Sequence, residues 1–144
     1  MKFVRSLMAV SAVAAASMLV ACGDDGSTSS SGADTNCSVK DGVVVVSPAA
    51  GDTYKVGDTI TVVFGTDLDA GGFDIEYRVN ANTKGRSLVN GSVGPEKPDG
   101  ETCYEEKVVL SEESVEPSKE ALIRVIPYTN PAKGANSATF TVTE

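Results

Sequence analysis

The chain predicts an all-β fold, an antiparallel β-sandwich of immunoglobulin or fibronectin III type with about seven strands. Three observations predict it. Residues 73–80, FDIEYRVN, alternate strictly: Phe73, Ile75, Tyr77 and Val79 share one face, and Asp74, Glu76, Arg78 and Asn80 share the other. That is the pattern of a sheet with one buried and one wet face. Residues 59–65, TITVVFG, repeat it with Ile60, Val62 and Phe64 inward. Finally, Gly, Pro, Asn and Asp recur at short intervals between such segments, and no long stretch carries an apolar stripe of helical period.

The remaining elements follow in order. Residues 43–46 are a run of four Val ending at Ser47 and Pro48, a first strand that leaves the sheet at the proline. A turn at 49–52 leads to a short extended piece at 53–56, and Gly57-Asp58 marks the next turn. A weak strand is expected at 86–90 around Leu88 and Val89, then a long loop at 91–101 with Gly94, Pro95 and Pro98. Residues 103–110 place Tyr104, Val108 and Leu110 on one face. In 120–128, Ala121, Ile123 and Val125 point inward, and in 137–143, Ala138, Phe140 and Val142 do. Residues 111–119, SEESVEPSK, allow about one helical turn before Pro117 stops it. Asn90-Gly91-Ser92 matches a glycosylation acceptor but reads as a hairpin turn, because Asn-Gly supplies positive φ at low cost.

The first 36 residues stand outside this fold. Residues 1–21 open with Lys2 and Arg5, then run without charge from Leu7 to Ala21, the length and order of a signal peptide. A membrane-spanning helix needs about 20 apolar residues, and this run meets Gly23, Asp24 and Asp25 too early. Leu19-Val20-Ala21-Cys22 resembles the lipobox of bacterial lipoproteins. The resemblance implies cleavage before Cys22, diacylglycerol on its sulfur, and anchoring in a membrane by two or three acyl chains, each buried CH₂ contributing about 0.8 kcal/mol. Gly23, rather than Asp, follows the cysteine, which by the same resemblance directs the protein to the outer membrane, and Asp24-Asp25 is similar to short acidic surface-export signals. Residues 22–36, from the anchor through GDDGSTSSSGADTN, lack apolar periodicity and read as a flexible tether with a reach of roughly 20 Å. The expected domain is 37–144. Loss of Lys2 and Arg5 takes the formal net charge of −8 to −10 for the exported part.

Cysteine usage fits an oxidising compartment. With Cys22 assigned to lipid, Cys37 and Cys103 remain as an even pair in an exported chain, and a disulfide between them is expected. Closing so long a loop contributes about 4 kcal/mol in the chain-entropy view.

Both ends of the domain resemble a known module. In residues 45–64, VVSPAAGDTYKVGDTITVVF, the positions Pro48, Gly51, Tyr54, Gly57, Ile60, Val62 and Phe64 are similar to the opening of the Ser-Thr-rich, glycosylphosphatidylinositol-anchored membrane family. Ile123, Val125, Ser137, Phe140 and Val142 match its close. The chain departs from that pattern at Phe64, where Trp is usual, and at Ala121, where a Tyr normally makes a corner hydrogen bond. The resemblance implies an Ig-like module of the kind that acts in adhesion, wall association or spacing; the matching positions are core and turn residues and say little about activity.

The residue inventory narrows function further. The chain has no His, which excludes a Ser-His-Asp triad, a Cys-His pair and His-ligated zinc or haem. Its acidic balance speaks against nucleic acid. Asp67 and Asp69 begin like an EF-hand loop, but Gly71 stands at the third ligand position and Arg78 where a bidentate Glu belongs, so no metal is expected. Glu105 and Glu106 point to opposite faces of a strand and cannot act as a pair, and Glu112-Glu113 lies in a loop. No phosphate-cradling loop ends in Lys-Ser/Thr and no G-x-S-x-G elbow occurs, so neither catalysis nor a cofactor is expected. Sugar sites favour exposed aromatics, and the chain has no Trp and four Tyr. Tyr77 and Tyr104 read as core and Tyr54 as core or turn. Tyr128 is the best exposed candidate, and with Ile126 and Leu122 it forms an apolar stripe suited to contact with an envelope protein or a polysaccharide. The expectation is therefore a noncatalytic outer-membrane lipoprotein that presents an Ig-like binding or structural module at the cell surface, with a carbohydrate-binding accessory protein as the alternative.

Overall fold

A computed structural model describes residues 36–144, so the signal peptide, Cys22 and all of the tether except Asn36 lie outside the described residues. The fold is an all-β sandwich of nine strands. β1 (Val43–Ser47), β3 (Thr59–Thr66) and β6 (Tyr104–Val109) form one sheet in the order β1-β3-β6. The other runs β2 (Thr53–Lys55), β9 (Phe140–Thr143), β7 (Ser118–Pro127), β4 (Phe73–Arg78) and β5 (Arg86–Ser87), with β8 (Ala135–Asn136) also paired to β7. In immunoglobulin lettering, β1, β3 and β6 take the places of A, B and E, and β4, β7 and β9 those of C, F and G. The chain changes sheets at Pro48: β1 pairs antiparallel with β3, whereas β2 pairs parallel with β9.

Alternation built the core as the sequence predicts. Ile60, Val62 and Phe64 of one sheet are buried against Phe73, Ile75 and Tyr77 and against Ile123 and Val125 of the other. Phe64 and Phe73 meet across the sandwich with ring centroids 5.6 Å apart, and Tyr54 sets its edge on Phe140 at the same separation. Residues 111–115 form the expected single turn, Ser111 accepting from the N–H groups of Ser114 and Val115 at 2.9 Å.

Three expectations are corrected. Ala138 is exposed, while Ser137 is 7% exposed. Ser137 lies opposite Ile123 and Phe140 opposite Ala121, so this strand takes three steps where β7 takes two. The extra residue is a bulge that reverses the facing of the residues before it; the strand expected at 137–143 is cut to β9, and β8 lies ahead of its expected start. Second, Asn90-Gly91 does not join two strands. The N–H of Leu88 donates to Ile75 and Val93 bridges Phe73, so the chain leaves the edge of β4, loops out, and returns to the same edge. Gly91 does have positive φ, 94°. Third, Val79 falls outside β4 and is half-buried.

The entry to β7 is tied from another strand. Tyr77 of β4 donates its hydroxyl to the carbonyl of Glu116 at 2.5 Å, just before β7 begins. Beside it the Ser118 hydroxyl donates to the Val79 carbonyl at 2.6 Å. β6 is a free edge of its sheet, and it carries Glu105, Glu106 and Lys107, with Glu106 on the same side as the core residues Tyr104 and Val108. Charges on an edge, above all an inward one, discourage pairing with another chain.

Candidate functional site

The strands divide the described domain into two poles. β3, β5, β7 and the chain entry before β1 bring residues 66–72, 88–102, 128–134 and 36–42 to one pole. In an immunoglobulin variable domain this is the end whose loops bind antigen. The opposite pole holds residues 56–58, 79–85 and 110–117 with the last residue, Glu144.

The chain entry is pinned to the loop pole by several bonds. Cys37 and Cys103 form a disulfide with Cα atoms 5.2 Å apart. Cys37 is buried, packed so closely on Gly65 that a side chain there would strike its carbonyl. The N–H of Val39 donates to Gly100, and the N–H of Gly100 to Thr66, both at 2.9 Å. The Asp67 carboxylate accepts the N–H groups of Asp41 at 2.6 Å and Gly42 at 3.0 Å. Lys133 pairs with the Asp41 carboxylate. Backbone hydrogen bonds from Asp41 and Gly42 hold the Asp67 carboxyl below its usual value. Asp67, the first residue of the apparent calcium loop, is therefore engaged in clasping the entry segment. Among the described residues, no group of three or more Cys, Asp or Glu is placed to hold a metal ion.

Beside this clasp lies an open cleft of about 400 Å³, lined by Asp69, Gly71 and Gly72 from one loop and residues 92–96 from the other. Two glycines make it. A Cβ at Gly72, whose φ is +127°, would collide with the Ser92 side chain and sit 3.3 Å from the Tyr128 ring. A Cβ at Gly94, φ +106°, would stand 2.7 Å from the Phe73 ring. Without side chains at these points, the two loops approach each other and leave Asp69 and Glu96 at the rim. Both carboxylates are exposed, and among the described residues no hydrogen bond or ion pair engages either.

Tyr128 lies outside the lining of this cleft and packs against its wall residue Gly72. Its N–H donates to the Gly72 carbonyl and its hydroxyl to the Gly91 carbonyl, each at 3.1 Å. The side chain remains 49% exposed. The ring is thus held from both ends with a face left to solvent.

The stripe expected along β7 does not form. Tyr128 is exposed, Ile126 is half-buried, and Leu122 is buried at 2% exposure. Leu122 lies opposite Arg78 in the β4–β7 register. Cross-strand partners share a face, and the long stem of an arginine covers an apolar neighbour. The structure instead associates Tyr128 with loop residues. Asp69, Ser92 and Glu96 carried no signal in the sequence that linked them to one another, since one loop precedes β4 and the other follows β5, and they meet only where Val93 pairs with Phe73.

The other tyrosines are engaged in packing. Tyr77 is 2% exposed, and Tyr104 packs beside Phe64 at 6.0 Å. Tyr54 donates to the Asp52 carboxylate at 3.0 Å. Burial first, then the neighbouring carboxylates, push the phenols of Tyr54 and Tyr77 up to about 12. Glu105 and Glu106 point to opposite faces of β6, and Glu112 and Glu113 lie exposed in the turn before β7. Among the described residues, no helix is long and apolar enough to cross a membrane. The chain was compared with protein-family models, curated proteins and solved structures, and none of them matches it.

Proposed function

We propose that the protein is a noncatalytic lipoprotein of the bacterial outer membrane, anchored through Cys22, that presents an Ig-like sandwich as a binding module. One observation carries the reading: the Cys37–Cys103 disulfide fastens the entry of the domain to the loop pole. Disulfides persist in oxidising compartments, which agrees with the signal-peptide pattern of residues 1–21 and the lipobox-like Leu19-Val20-Ala21-Cys22. The bond also gives the tether a rigid point of attachment. The likeness of residues 45–64 and of the closing strand to the Ser-Thr-rich anchored family supports a role in attachment or spacing rather than chemistry. Fractionation of cells carrying Cys22→Ala tests the reading. The variant is expected in the soluble fraction, and its persistence in membranes sinks the anchor.

A second reading, attachment to polysaccharide as a carbohydrate-binding accessory protein, is favoured by the exposed Tyr128 ring beside the cleft.

A further inference from the structure

We propose that the loop-pole cleft binds a neutral, hydroxyl-rich saccharide whose hydroxyls donate to Asp69 and Glu96 in the cleft and which extends over the wall residue Gly72 onto the neighbouring Tyr128 ring. The inference rests on the binding-module reading and names its ligand class. The cleft, about 400 Å³, falls within the size range of small-ligand sites, about 300–1,000 Å³, and takes one or two sugar rings. Its chemistry selects among ligands. An ionised carboxylate only accepts hydrogen bonds, so the two rim carboxylates require a partner that brings donors. No Lys or Arg lines the cleft, so a uronate or phosphate would meet Asp69 and Glu96 without a counter-charge. A pyranose offers hydroxyl donors on its edge and an apolar C–H face, and these match carboxylates next to an aromatic plane. A bare hydrocarbon would leave both carboxylates against an apolar surface at a desolvation cost.

The site is preorganised. Two hydrogen bonds fix Tyr128, one from its backbone and one from its ring hydroxyl, and the packing at Gly72 sets its distance from the cleft wall. Little freedom is lost when a ligand stacks on such a ring, which lowers the ordering cost of binding. The disulfide and the Asp67 clasp brace the same pole from behind.

The test uses the full-length protein solubilised in detergent, retained on insoluble cellulose, xylan and curdlan as neutral probes, with immobilised polygalacturonate as the anionic probe and chitosan as the cationic one. Retention on at least one neutral polymer is expected. Tyr128→Ala is expected to weaken it about tenfold, equivalent to about 1.4 kcal/mol. The double variant Asp69→Asn, Glu96→Gln keeps the shape of the rim and removes its charge, and is expected to weaken retention by a similar factor. Thermal melts that superimpose on the parent establish that both variants fold. Retention on none of the neutral polymers overturns the proposal. So does retention unchanged by Tyr128→Ala, or retention confined to polygalacturonate or chitosan. The fractionation of Cys22→Ala is an independent readout: a released protein with no neutral-polymer retention leaves the anchored-module reading standing and removes only the saccharide.

Discussion

The two poles of the sandwich handle their polar groups in opposite ways. At the pole of residues 56–58, 79–85 and 110–117, polar atoms turn inward on the chain itself: Tyr77 to Glu116, Ser118 to Val79, and Leu110 with Gly57 and Asp58 through backbone bonds of 2.6–2.8 Å. At the loop pole, the entry segment is clasped as firmly, yet a few ångströms away glycines replace side chains, and Asp69 and Glu96 are left with no partner among the described residues. The closed pole also exposes charged side chains, Lys84, Glu112 and Glu113 among them; what sets the loop pole apart is the cleft that brings Asp69 and Glu96 together. A pole with fixed backbone and unengaged side chains is where recognition belongs.

The contrast is open to direct attack, and the largest effect is expected at the clasp. Replacing Cys37 and Cys103 together by Ser removes a cross-link worth about 4 kcal/mol, and for a domain of this size each kcal/mol lowers the melting temperature by about 4–8 °C. Calorimetry should therefore record a loss of more than about 15 °C. A much smaller loss would mean that the hydrogen bonds of the clasp hold the entry segment alone.

Next in size is Gly94→Ala. The added Cβ meets the Phe73 ring at 2.7 Å in a left-handed backbone, and overpacking of this kind costs about 1–3 kcal/mol. Urea unfolding checks it, and an unchanged midpoint would show that the loop yields freely. At the closed pole, Tyr77→Phe leaves the Glu116 carbonyl without its donor and is expected to cost about 1 kcal/mol. Tyr128→Phe provides the matched comparison: its hydroxyl bond is at the surface, so stability should stay within about 0.5 kcal/mol. Equal losses for the two tyrosines would erase the distinction between poles.

The smallest effect is a pH dependence with opposite signs at the two poles. Asp67 and Asp99 are held low by hydrogen bonds. For Asp99 these come from the Thr102 side chain first and then the N–H groups of Thr102 and Glu101, and its carboxyl lies at about 2. A carboxyl lowered in the fold stabilises it above its unfolded value, about 4, and that contribution fades as pH falls toward 2. Tyr77, raised to about 12 chiefly by burial, works the other way. Its contribution is whole below about 10, the ordinary phenol value, and disappears as pH rises through 12. Hydrogen exchange should therefore show the loop pole loosening first in acid and the closed pole first in alkali. Simultaneous loosening at both ends would mean that the sandwich opens only as a unit.

Much of this architecture was legible in the chain. The cores of β3 and β4 follow from alternation alone, because each pairs in an even register over most of its length. The disulfide followed from counting cysteines. The misreadings have local causes. Alternation carries no marker for an extra residue, so the bulge between Ser137 and Phe140 turned Ala138 outward and Ser137 inward. Leu122 looked exposed by parity, but its neighbour across the sheet is Arg78, forty-four positions away in the chain. Asn90-Gly91 had the composition of a hairpin turn, and only pairing of Leu88 and Val93 with one strand shows that it is a loop on an edge.

By itself the sequence determined the class of the fold, the face each main strand buries, the pairing of Cys37 with Cys103, and Tyr128 as the one tyrosine not needed by the core. These depend on period, residue type and count, which are properties of neighbours along the chain. Only the tertiary structure decided that Tyr128 packs on Gly72, in the wall of a cleft that gathers Asp69, Ser92 and Glu96, that Leu122 does not join it, and that Tyr77 ties β4 to the Glu116 carbonyl. Those relations are set by register between distant strands and by two glycines that let separate loops touch, and neither is written in any local pattern.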